Sequence, residues 1–148
     1  MSLSLIRTEI QTILLGVTGV GTKVHDYVRW AKTIEDYLSL FRSDGLIKGW
    51  EITRDSTAEI KFTLNSNLRT HTMVIRGRYS LDDSTATEKT FQDVIEAIAA
   101  AFKANPTLNG KAFNSDPLQI DSVALAMFGS VLCHVCELRL LVEEEVQR

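Results

Sequence analysis

The apolar positions of this chain recur with two periods, and the switches between them lay out its elements. Ile6, Ile10 and Ile13/Leu14 fall three and four residues apart, which predicts a helix over 3–15 with Gly16 as its stop. GVTGVG then reads as a loop, and VGTKVHDYVRW, rich in Val, Tyr and Trp, as a strand. Thr33 with Asp36 three residues on predicts an N-cap. Ile34, Tyr37, Leu38 and Phe41 predict the apolar face of a short helix, with Gly45 past its end. LIKGWEIT and TAEIKFTL read as two strands around Arg54-Asp55-Ser56, a turn-like break. In the second of them Ile60, Phe62 and Leu64 alternate with Glu59, Lys61 and Thr63, which predicts one buried and one wet face.

The next strand, THTMVIRGRYS, puts Met73, Ile75 and Tyr79 opposite Arg76 and Arg78, with Gly77 marking a bulge or a close contact. After a turn at Leu81-Asp82-Asp83, STATEKTFQDVIEAIAAAFKAN predicts one long amphipathic helix. Thr85 and Glu88 would form its capping box, Phe91, Val94/Ile95, Ile98 and Phe102 its apolar stripe, and Asn105-Pro106 its end. Thr107 to Pro117 reads as a polar loop. LQIDSVALAM and SVLCHVCELRLLVEEE read as two strands of a hairpin that turns near Phe128-Gly129. Each unit has one apolar face. The predicted fold is therefore α+β, a single domain of mainly antiparallel or mixed sheet packed on one side against the long amphipathic helix and the N-terminal helix.

Composition narrows the classes. The 148 residues suit one domain, and 45% hydrophobic with 24% charged residues is the balance of a globular chain with a proper core. A formal charge of −3 argues against tight wrapping of nucleic acid, which needs clustered Lys and Arg. No apolar run reaches the roughly 18 residues that span a bilayer. MSLSLIRTEIQTILL is expected not to be a signal peptide, because Arg7 and Glu9 interrupt its apolar residues. Two Cys are too few for a disulfide framework, and a reducing cytoplasm is the expected place of folding.

Candidate chemistry is sparse. Cys133-His134-x-Cys136 has the look of a metal motif, but on a strand residues three apart point to opposite faces, so the two Cys cannot grip one ion. Gly16-x-x-Gly19-x-Gly21-Thr22-Lys23 has the wrong order and context for a phosphate loop: the Lys follows the Thr, and a strand rather than a helix comes next. His25-Asp26 and His71 have no nucleophile-elbow partner in the sequence. Arg76 and Arg78 form a same-face pair, read as a solvated strand face with cross-strand Glu partners or as a phosphate site. Trp30 and Trp50 are core or interface residues. Glu143, Glu144 and Glu145 form a solvated tail or a lining that repels DNA. Loops dock partners, which brings in Asn109 on the Thr107–Pro117 loop together with Val17–Thr22.

GVGTKVHDYVRW after an N-terminal helix, then HTMVIRGRYSLDDSTATEKTFQDVIEAI, then MFGSVLCHVCELRLLVEE, resembles a family of tail-terminator or tail-completion proteins at the head–tail junction of tailed bacteriophages. The resemblance spans nearly the whole chain and lies in segment order. It implies an α/β ring subunit, commonly of a hexamer, that caps the tail tube, meets the neck or head-closure protein and lets genomic DNA pass. The expected location is the virion, after assembly in the host cytoplasm. It carries no catalytic residue, metal or cofactor, so the chain is expected not to be an enzyme. The expected interface residues are Trp30, Trp50, Arg76, Arg78, Asn109, Glu143, Glu144 and Glu145. A head-closure or stopper protein is the nearest alternative. A small metal-dependent or hydrolytic enzyme using His25, His134 and Cys136, or a ligand-binding module, is the more distant one.

Overall fold

The computed structural model describes residues 2–43 and 45–148. Helix α1 (Leu3–Leu15) starts at Ser2, whose hydroxyl accepts from the Leu5 amide, and buries Ile6, Ile10, Ile13 and Leu14. Strand β1 (Lys23–His25), helix α2 (Ile34–Ser39) and strand β2 (Arg42–Ser43) follow. Four long strands dominate the rest: β3 (Leu46–Lys61), β4 (Ser66–Ser80) and, after helix α3 (Thr87–Lys103) and the two-residue β5 (Asn114–Ser115), the hairpin of β6 (Gln119–Phe128) with β7 (Val131–Gln147). They form one mixed seven-stranded sheet in which β1 pairs parallel with β3 and every other pairing is antiparallel.

Cross-strand neighbours share a face, so the register sorts the side chains. Trp50 lies opposite Gly77, Ile52 opposite Ile75, Ile75 opposite Leu138 and Met73 opposite Leu140. These residues meet the buried stripes of α1 and α3 in the main core. The other face is not bare, contrary to the one-sided covering expected: α2 and the turn after it bring Leu38 and Phe41 over Ile47, Phe128 and Cys133 in a second, smaller core.

Three expectations about the strands need correction. Arg54-Asp55-Ser56 is not a turn. β3 runs through it, and the extra residue is taken up as a bulge where the register with β4 shifts between Arg54 and Ser56. The chain reverses instead within residues 62–65, just after β3. The alternation Ile60, Phe62, Leu64 then does not mark a buried face. All three are exposed, because this half of β3 runs past the helices that would cover it. The predicted strand from Val20 to Trp30 shrinks to Lys23–His25.

The long helix is also shorter than its pattern. A 3₁₀ turn occupies Asp83–Thr85, and α3 itself has 17 residues. Thr85 caps nothing at the start of α3: Ala86 sits there in the left-handed region (φ 55°) with no side-chain cap. The polar groups that organise this entry are Asp82, whose carboxylate accepts from the Ser84 amide at 3.1 Å, and Thr87, whose hydroxyl accepts from the Asp82 amide at 3.0 Å. The hairpin of β6 and β7 turns at Gly129 (φ 62°) and Ser130, with Phe128 opposite Val131.

Candidate interaction edges and polar clusters

Among the described residues, long stretches of both margins of the sheet are unpaired. β6 bonds only to β7, and among the described residues nothing pairs with its outer side. On the far margin β1 and β2 cover β3 only over residues 46–51, so residues 52–61 have a partner in β4 alone. Such a row of free N–H and C=O groups is a template for another strand. Both margins are flanked by exposed apolar side chains: Ile120, Leu125 and Met127 along β6, and Ile60 with Phe62 and Leu64 at the far end of β3. A third apolar surface is the irregular segment after β1, where Tyr27, Val28, Trp30 and Ile34 are all exposed, and the last three line an open cavity with Arg29, Lys32 and Tyr37. Ile34 thus faces away from the core that its helical spacing predicted for it.

The expected interface residues fall in different places. Trp30 is 76% exposed at that surface. Trp50 is 1% exposed: its ring lies over Gly77, stacks on Phe91 with centroids 6.0 Å apart, and its Nε1–H donates to the Val20 carbonyl at 3.1 Å. It is core, and enclosed there it has no surface to offer a partner. Arg76 donates to its cross-strand neighbour Glu137 (3.1 Å) and to the Thr53 hydroxyl (3.1 Å). Among the described residues Arg78 has no such partner: its guanidinium lies over the rings of Phe41 and Phe128. Asn109 is exposed and donates to Glu9 on α1. Glu143, Glu144 and Glu145 are not a tail but part of β7, so they alternate between faces. Glu144 is 4% exposed and enclosed; its neighbours are half-buried.

Glu144 belongs to a cluster that spacing alone did not reveal. His71, fully buried, bridges it to Thr57: Nε2–H donates to the Glu144 carboxylate at 2.7 Å, and Nδ1 meets the Thr57 hydroxyl at 2.8 Å. Arg69 lies 3.2 Å from Glu59, misaligned for a hydrogen bond, and 4.0 Å from Glu144. The three members come from β3, β4 and β7, which only the register brings together. A hydroxyl, an imidazole and a carboxylate in line have the components of a nucleophilic triad. Here they lie at the end of the main core, and they tie three strands together.

The other titratable groups are likewise engaged. His25 Nε2–H donates to the Leu40 carbonyl (2.7 Å), so Nδ1 accepts from Arg29 (3.1 Å), which fixes the neutral tautomer. His134 stacks on Phe91 and meets the Thr87 hydroxyl at 2.8 Å. Cys133 and Cys136 are buried on opposite faces, in the smaller and the larger core. Burial raises both thiols, that of Cys136 to about 12. Among the described residues no three of His, Cys, Asp and Glu converge as metal ligands. No helix is long and apolar enough to cross a membrane. The Gly16–Thr22 loop serves packing, with Gly19 (φ 95°) set against Val94 of α3. No known family model matches the chain, and no curated protein matches it.

Proposed function

We propose that this protein is a structural assembly protein of the tailed-phage head–tail junction, a tail terminator whose copies join edge to edge in a ring on the end of the tail tube. The observation that carries the reading is the pair of free strand edges at opposite margins of one sheet. Two different edges on one subunit give a head-to-tail contact. Such contacts close into a ring when the rotation between copies allows it. The segment order that resembles the terminator family supplies the biological setting. In this reading one long amphipathic helix, α3, and the N-terminal α1 back the sheet that forms the wall of the ring. A chain of net charge −3 lets genomic DNA cross the lumen without holding it. No catalytic residue, metal or cofactor has a part in this work. The partners are other copies of the chain, the tail tube protein and the neck, and no membrane is involved.

Native mass spectrometry over a concentration series, alone and with tail-tube protein, tests the proposal. A closed ring, a hexamer on the family reading, is expected in one or both conditions. A chain that stays monomeric in both overturns it. A ring that binds the portal-side adaptor and ignores the tube reassigns the protein as a head-closure component.

A further inference from the structure

On the face opposite α1 and α3, an open cavity of about 380 Å³ lies between β4, β6 and β7, lined by Arg76, Arg78, Ser122, Ala126, Phe128 and Glu137 among others. Arg78 is built into its wall. Gly49, its neighbour across β3, has no side chain, and that space is filled by Phe41, whose ring would lie 2.5 Å from a Cβ at Gly49. The Arg78 guanidinium then sits 5.0 Å from the centroid of Phe41 and 4.6 Å from that of Phe128. Two rings fix the plane of the fork, and they stabilise its charge without using any of its N–H groups. No side-chain hydrogen bond or ion pair engages Arg78 among the described residues, and its Nη1 is shielded from solvent with no acceptor. A buried, unpaired donor on a charged group is costly and calls for an explanation.

We infer that Arg78 is the anchor of a carboxylate-binding site. The fork matches the two oxygens of a carboxylate. Ala126 and Phe128 offer apolar surface to whatever carries it, and the Ser122 hydroxyl is a further donor. The charge balance selects the anion. Arg76 is already neutralised by Glu137 at 3.1 Å, so the cavity carries one uncompensated positive charge. That suits a monoanion, and the Glu137 carboxylate opposes a phosphate dianion. The carboxylate comes either from a small free organic acid or from an acidic side chain of another copy of this chain.

The test follows the arginine side-chain N–H signals by NMR, with exposed Arg54 as the internal reference. In the first arm dilute protein is titrated with benzoate and, separately, with inorganic phosphate. In the second, protein concentration alone is raised. A saturable shift of the Arg78 signals is expected in at least one arm, with Arg54 unmoved in the benzoate arm. The first assigns a free acid, the second a neighbour's side chain. In the first arm benzoate should bind about tenfold more tightly than phosphate or better. Ala126→Phe, at an exposed edge position, puts a ring into the cavity and should abolish the shift while the fold persists. Arg78→Gln should lose about tenfold or more in benzoate affinity by calorimetry. Three results would each overturn the site: no Arg78 shift in either arm, a shift that Ala126→Phe leaves intact, or phosphate bound more tightly than benzoate.

Discussion

Gly77 shows how one residue is fixed by its neighbour across the sheet. A Cβ there would lie 2.3 Å from the Trp50 ring, which cannot retreat because Phe91 lies along it and its indole N–H is held by Val20. Gly77→Ala should therefore cost about 1–3 kcal/mol, read as a lower urea midpoint. The two Cys give a second test at this scale. Thiolate is the reactive form, and burial lifts Cys136 from 9.0 to about 12. Native protein should leave it unlabelled by iodoacetamide at pH 8, and denatured protein should label fully. Because its folded value is the higher one, its contribution to stability is complete below pH 9 and is lost as pH rises toward 12. Much at this scale was legible: alternation alone put Cys133 and Cys136 on opposite faces, and Gly77 was read as a bulge or a close contact, of which the structure shows the contact. Trp50 was not, since a Trp fits a core and an interface equally well.

The elements were readable where one face is buried along the whole length. α1 and the stripe of α3 follow their spacing, and the hairpin of β6 and β7 turns where its glycine lies. The reading failed where a tertiary partner decides. Arg54-Asp55-Ser56 has the composition of a turn, yet its two flanking strands are one strand, paired with β4 on either side of a bulge. The alternation at Ile60 is real, but no helix reaches far enough to cover it. The entry to α3 depends on Thr87 bonding Asp82 and His134, and His134 lies 47 residues away. The edge strand β6 yields its own prediction. Leu125 and Met127 are 54% and 61% exposed, so Leu125→Lys with Met127→Lys should leave the melting temperature nearly unchanged, as surface changes do. The same pair should break self-association in native mass spectra, because charged side chains blunt an edge.

At the scale of the whole molecule, architecture and assembly part company. The sequence carried the α+β class and the order of the units. It did not carry which strand margins stay free, because a free edge is defined by the absence of a neighbour rather than by any residue. The Thr57–His71–Glu144 cluster was hidden for the related reason that its members lie on three strands. The bulge at Asp55 has a consequence at this scale. It lies within the open stretch of β3, and a bulge increases local strand twist. In a head-to-tail chain of copies that twist enters the angle between successive subunits once per contact, so a small local error accumulates with every copy added. One residue then separates an object of fixed size from one of unlimited length. Deleting Asp55 restores a regular ladder with β4 and should keep the subunit folded; on the proposed ring assembly, electron micrographs should then show open helical fibres in place of discrete circles.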